Sequence, residues 1–471
     1  MLVLAICCMS LLIVGMDNTI VNVALPDIRS NLHASLSGLQ WTIDAYVVVL
    51  ASLLMLSGST GDRLGRRRTF QTGLVLFTIG SLLCSLAPGL GWLVAFRMVQ
   101  AVGGSMLNPV AMSIITNVFT EPRERARAIG VWGGVIGISL GLGPVVGGLL
   151  TETVGWRAIF WINIPIGVAA FVLAALFVPE SKAARARRVD VGGQLAVIVL
   201  LASLTYAIIE APRIGWGSVD TVALLVVALV ALATLIRHER RRADPLLDVR
   251  FFRSVPFAAA TMTAVFAFGA FAGFLFLNTL YLQDVRGFSA LQAGLCMLPF
   301  AVMTMIFAPL SGRMVGSRGP RAPLLLSGVA MFVGGLLLVP LTPTTPLAWV
   351  LAGYAVFALG FGMVNAPITN AAVSGMPRSQ AGVAAAVAST SRQVGAALGV
   401  AVVGSVLSSG LAGASLETGF ASAARADWWV IAACGFAVLA LGALSTGRWA
   451  VGTAARTADL VADEERAPAA A

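Results

Sequence analysis

The sequence predicts an all-α membrane protein with fourteen transmembrane helices. Three observations carry that expectation. Of 471 residues, 58% are hydrophobic and only 11% are charged, where a typical soluble domain carries about 25% charge. The apolar residues are gathered into long continuous runs, and a run of about 18 or more reads as a membrane-spanning helix. The basic residues sit in short clusters between those runs, the arrangement that membrane topology imposes. The runs do not alternate polar and apolar, so helices are expected rather than a barrel.

In order, spans are expected at roughly 1–24, 39–59, 70–88, 91–115, 126–149, 158–178, 191–210, 219–236, 257–282, 289–311, 322–341, 348–373, 381–408 and 427–447. The first apolar run, Leu2 to about Ala24, is long for a signal-peptide core and has no basic lead, so it reads as an uncleaved helix. The segment 448–471 is polar, Ala-rich and acidic near Asp463, and is expected to be a disordered cytoplasmic tail.

Orientation follows from the basic residues. With the N-terminus inside, 24 of the 31 fall in cytoplasmic segments and 5 in outer loops, while Arg97 and Arg392 lie within spans. Both termini are then cytoplasmic, in a cell membrane. All basic residues but Lys182 are Arg, and Ala and Gly are abundant, a base-composition bias that suggests a bacterial source.

Several function classes are set aside. The formal charge of +10 is spread as topology clusters, so no nucleic-acid partner is expected. The five cysteines lie inside apolar runs, and His33 and His238 fall in loops. No metal site, cofactor or enzyme activity is expected. The sequence contains no Gly-x-x-x-x-Gly-Lys-Ser/Thr loop, so no nucleotide is expected and ATP is not the direct energy source.

An internal echo links Gly58-Ser59-Thr60-Gly61-Asp62-Arg63-Leu64-Gly65-Arg66-Arg67, after span 2, to Gly312-Arg313-Met314-Val315-Gly316-Ser317-Arg318-Gly319-Pro320-Arg321, after span 10. The second copy is decayed: Gly316 and Ser317 stand where the first has Asp62 and Arg63 in pattern. Two six-helix halves, 1–180 and 257–447, are expected on either side of an inserted pair, 181–256.

Six segments, in order, carry a resemblance. They are Met16 to Pro26, Gln40 to Tyr46, Gly58 to Arg67, Arg97 to Gln100, Gly143 to Gly148 and Trp156 to Gly167. Together they are similar to motifs of the fourteen-helix drug:proton antiporter group of the major facilitator superfamily, the EmrB/QacA type. The resemblance implies a major facilitator fold of two six-helix bundles plus two helices, with halves related by an axis along the membrane normal. It departs in places. Ser139 and Ala101 stand where the patterns have Gly, and spans 10 and 13 lack the acidic residues some relatives carry.

Candidate residues follow. Asp17 lies in span 1 and Asp44 about one turn inside the outer end of span 2. An ionisable group in a span costs roughly 2.5–3.5 kcal/mol on insertion scales and usually faces a cavity. Asp17 is a candidate proton carrier or a polar bridge between helices. Asp44 is either an interfacial carboxylate or a binding or proton site. Arg97 stays charged and cannot carry the proton itself. The resemblance implies a coupling role for it, beside the plainer reading of a structural salt bridge. Asn22, Tyr46, Gln100, Phe268, Phe271, Asn365 and Arg392 are expected to line a substrate cavity, with Arg392 open to a second reading as a bridge between helices. Gly58, Asp62, Arg63, Gly65, Arg66 and Arg67 form a topology signal. The family pattern adds a latch in which Asp62 accepts hydrogen bonds at a helix N-terminus across the two halves. Gly143, Pro144, Gly147 and Gly148 allow close packing and a bend, and only the resemblance makes theirs an antiporter helix.

The function expected is proton-coupled export of small hydrophobic or cationic compounds by alternating access. Its partners are the solute, protons and the lipid bilayer, and a monomer is the expected working unit. Uptake or export of another solute, and a transport-inactive sensor, are the alternatives.

Overall fold

The computed structural model describes residues 1–183, 190–242, 248–374 and 381–466. Every regular element among them is helical. The chain runs through α1 (Leu2–Leu32), α2 (Leu36–Leu64), α3 (Arg66–Ser85), α4 (Leu90–Val118), α5 (Pro122–Thr153) and α6 (Ala158–Phe177). It continues through α7 (Val191–Ile214), α8 (Val219–Glu239), α9 (Val255–Val285) and α10 (Ala290–Arg318). α11 (Arg321–Leu338), α12 (Leu347–Val373), α13 (Ala381–Leu411), α14 (Leu416–Ser445) and α15 (Arg448–Arg466) complete it. Arg185, Arg187, Arg188 and Arg378 of the basic clusters, and the last five residues, lie outside the described set.

Thirteen of these helices are long and apolar enough to cross a membrane. α3 is less apolar because it opens on three arginines. Its 20 residues still rise about 30 Å, a hydrocarbon thickness, and it packs along α4. The turns are written in local chemistry. Ser35 caps α2 through Gly38 N–H at 3.1 Å, and Ser289 with Gln292 forms a capping box on α10. Gly65 turns α2 into α3 at φ 119°, a conformation open to glycine at little cost.

α1, α4, α5 and α6 pack together, with α2 and α3 against α4. α9, α11, α12, α13 and α14 form a second group, with α10 against α12. The groups meet along α2–α13, α5–α10 and α1–α9. α7 lies on both α2 and α13. It is tied to α2 by Gln194 Nε2 donating to Ser52 O at 2.6 Å and by Trp41 Nε1 donating to Glu210 Oε1 at 3.0 Å.

The two ends of the bundle differ. At the end carrying the α1–α2 turn at His33, the groups are stitched together. Arg29 bridges Asp284 at 3.3 Å, Gln283 Nε2 donates to Val23 O at 2.8 Å, and Leu291 N–H donates to Glu152 at 3.1 Å. Gln40 Nε2 donates to Val400 O and Ala401 O at 3.2 and 3.0 Å. At the end carrying the Gly65 turn, α5 is bare. Side chains added at Gly130, Gly133, Gly134 and Gly137 would meet nothing. Toward the His33 end the same helix is tight: a Cβ on Gly143 or Gly147 would overlap Thr19 or Ile20, and one on Gly148 would strike the Ala290 backbone.

The expected disorder of 448–471 is corrected for its first nineteen residues, which form α15. Ala450, Thr453, Ala454 and Thr457 recur at helical spacing and are buried. Thr453 Oγ1 accepts from Val255 N–H at 2.9 Å, filling an open donor at the start of α9. A segment with few large apolar residues can still order when one small-residue face finds a groove.

Candidate functional site

The α1–α4 contact holds a buried charge pair. Asp17 of α1 is 0% exposed and Arg97 of α4 is 1% exposed. Arg97 Nη1 donates to Asp17 Oδ2 and, at 2.6 Å, to Gln100 Oε1. Asp17 Oδ1 accepts from Gln100 Nε2 at 2.9 Å and Asn163 Nδ2 at 3.2 Å. Gln100 Nε2 also reaches Ser81 Oγ at 2.7 Å. Arg97 Nε donates to Thr42 O at 3.3 Å, and the guanidinium sits 4.1 Å from the Tyr46 ring centre. The sequence places these groups by register: Arg97 and Gln100 are three apart on α4 and share a face. Both Asp17 oxygens are satisfied, as a buried charge requires if it is to persist.

Sequence reasoning had Gln100 and Tyr46 lining a cavity. The structure corrects this: both are fully buried and serve the charge pair. Asn22 is likewise buried, with Nδ2 turned back to Asn18 O at 3.1 Å. Asn163 and Ser81 belong to the site but were given no role. Asn163 sits inside one of the motif segments, yet only the tertiary fold brings α6 against α1.

Asp44 of α2 is 0% exposed, and neither carboxylate oxygen has a hydrogen-bond partner among the described residues. The interfacial reading is therefore removed. Gln40, one turn away on the same face, holds α13, which places Asp44 in the contact between the two groups. Glu210 of α7 is buried too and accepts from Trp41 and from Arg213 Nε at 2.8 Å.

The second group is built on rings. Phe271 stacks on Phe361 at 4.2 Å and on Phe300 at 5.4 Å. Phe274 stacks on Phe357 at 5.0 Å. Phe271 is 7% exposed, so it is a packing residue and not a cavity wall. Phe268 is half-buried beside Arg392, its ring centre 5.8 Å from the guanidinium. Asn365 is half-buried on α12. Asp427 of α14 was missed. It is 0% exposed with both oxygens unpartnered among the described residues. The expected span began at Asp427 itself, at a membrane boundary; the helix starts eleven residues earlier, at Leu416.

The loop motif folds back on its own half. Asp62 Oδ1 accepts from Arg66 Nε and Nη2 at 3.1 and 2.9 Å. Glu180 accepts the Arg67 and Arg68 N–H groups at 3.1 and 3.3 Å. It thus supplies the anion at the α3 N-terminus. Among the described residues Asp62 makes no side-chain bond across the halves; its partner is Arg66 of its own half. Arg63 is exposed, and Gly58 packs against Pro109.

A separate clasp closes the α7–α8 pair. Asp190 caps α7 through Gly193 N–H at 2.9 Å and meets His238 Nε2 at 2.8 Å and Arg242 at 3.4 Å. Burial works against the Asp190 charge, but these three donors outweigh it and hold the carboxyl below its ordinary value. No cluster of three or more metal-binding side chains occurs among the described residues.

The profile described as Major Facilitator Superfamily matches residues 7–400. The Multidrug resistance protein Stp of Mycobacterium tuberculosis is 39% identical over 397 residues, covering 84% of this chain and 74% of that protein. The Tetracenomycin C resistance and export protein of Streptomyces glaucescens is 36% identical, covering 83% and 73%. The Methylenomycin A resistance protein of Streptomyces coelicolor is 35% identical, covering 83% and 82%. Among solved structures, a bacterial homolog to the human lysosomal transporter Spinster, inward-facing and unoccupied, matches with a TM-score of 0.67 at 17% identity, covering 97% of each chain.

Proposed function

We propose that this chain, which belongs to the Major Facilitator Superfamily, is a proton-coupled antiporter that exports small hydrophobic compounds across a bacterial cell membrane by alternating access. The names of its relatives, resistance and export proteins, support efflux. The observation that carries the reading is the wholly buried Asp17–Arg97 pair, set where α1 meets the glycine seam of α5 and accompanied by the unpartnered Asp44. Charges kept inside a membrane protein at this cost mark an ion path.

The Gly65 end is taken as cytoplasmic, so this conformation opens inward. The two groups, α1–α6 and α9–α14, act as the rocking bodies, with α7 and α8 carried on α2. Asp17 is here held by Arg97. Asp44 has no donor among the described residues to support a charge, and a proton on it removes that cost. In the cycle, protonation from outside displaces solute, and return to the inward state lets Arg97 reclaim Asp17 and expel its proton. Each proton moving inward gains about 2.3 kcal/mol per 100 mV.

The test is reconstitution in proteoliposomes with an imposed proton gradient and a panel of dyes. Gradient-dependent dye movement, abolished by a protonophore, is expected. Dye movement indifferent to the gradient rejects proton coupling, and full pH-dependent transport by both Asp17→Asn and Asp44→Asn places the carrier elsewhere.

A further inference from the structure

Arg392 is the twelfth of 31 residues in α13. A guanidinium carries five donors and no acceptor and keeps its charge. Among the described residues one bond satisfies it: Nη2 donates to Thr369 Oγ1 of α12 at 2.6 Å. Its Nε is shielded from solvent with no acceptor, and no carboxylate pairs with it among the described residues. Arg97, in the other half, has a carboxylate, an amide and a carbonyl.

Arg392 is also not sealed in. Its side chain is half-buried, and Thr369 and Asn370, toward the Gly65 end of α12, are exposed. Of these residues the charged one is Arg392. The buried membrane acids are not available to a cation. Asp17 is saturated, and Asp44 and Asp427 are each 0% exposed. Beside Arg392 stands the half-buried Phe268 ring, a flat apolar surface. Opposite charges in a low-dielectric setting attract strongly, and a planar fork favours a carboxylate or a similar oxyanion.

We infer that Arg392 is a specificity-determining residue that receives an anionic oxygen of the exported compound, a carboxylate or phenolate on an aromatic frame that lies against Phe268. This rests on the reading of the chain as an exporter and narrows its solutes to acidic aromatics over cations.

The test separates binding from coupling. Equilibrium binding of carboxyfluorescein, ethidium and uncharged Nile red to the purified full-length protein in detergent is measured by fluorescence, without a gradient. Wild type is expected to bind carboxyfluorescein at least tenfold more tightly than ethidium. R392Q is expected to lose about tenfold for carboxyfluorescein with Nile red unchanged, and R392K to recover part of it. Nile red binding also reports that each variant is folded. Absent carboxyfluorescein binding, an affinity unaltered in R392Q, or a preference for ethidium overturns the inference. If carboxyfluorescein binds as expected but no gradient drives its movement, the antiport reading fails and the recognition role stands.

Discussion

The buried charges around α1 and α4 are held differently from those of the second half. Around α1 and α4, Asp17 and Arg97 are bonded to each other and to Gln100, Asn163 and the Thr42 carbonyl. Around α9, α12 and α14 the interior is a stack of rings, and the two charged residues set into it, Arg392 and Asp427, have no ionic partner among the described residues. A paired charge satisfies itself and can stay inside through a cycle until a proton competes for it. An unpaired one is held at a cost that another species must offset: a proton, a solute or the other half in another conformation. In the reading proposed above, the coupling ion belongs to the first half and the solute's polar group to the second.

The sharpest way to break this comparison is Arg97→Ala. Removing one partner of a buried pair typically costs 3–5 kcal/mol, here by stranding Asp17. Gradient-driven transport is expected to vanish and the melting temperature in detergent to fall by many degrees. Normal transport by the variant would end the coupling role.

Asp17→Asn against Asp427→Asn comes next. The first leaves Arg97 without its carboxylate and is expected to destabilise by roughly 3 kcal/mol or more. The second removes an acid that no donor supports and is expected to be neutral or to stabilise by up to about 1 kcal/mol. Equal losses in a thermal melt would show that Asp427 has a partner and that the two halves are not so different.

The smallest effect concerns the α7–α8 pair, outside both halves. Asp190→Ala removes a helix cap, a loss of about 1 kcal/mol, along with the contacts to His238 and Arg242. The Asp190 carboxyl is held below its ordinary value. Its contribution is therefore complete above the unfolded value of about 3.9 and is lost as pH falls through the lowered folded value. The gap between variant and wild type, followed by hydrogen exchange of α7, should be full at pH 7 and shrink in strong acid. A gap independent of pH would leave only the neutral part of the cap.

Much was legible from the sequence. The apolar runs gave helices because a backbone in lipid must satisfy its own hydrogen bonds. Arg97 and Gln100 could be placed on one face from their spacing alone. What was misread shares a cause. Gln100 and Tyr46 were sent to a cavity because spacing gives a face and not its neighbour. Phe271 was sent there as well, and it stacks on Phe361. Asp427 went unseen because hydropathy sets the edge of a span to within a few residues, whereas burial depends on where the helix starts.

Composition and spacing by themselves determined that this chain is a bundle of membrane helices with a few costly charges at Asp17, Asp44, Arg97 and Arg392. Hydropathy and helical period are local properties, written in consecutive residues. Which charge meets which, and which meets none, was decided by the tertiary structure alone. Pairing is a matter of distances between helices far apart in the chain: Asp17 and Arg97 are 80 residues apart, whereas α2 and α14 pack on α13 and carry Asp44 and Asp427 without pairing either to Arg392 among the described residues.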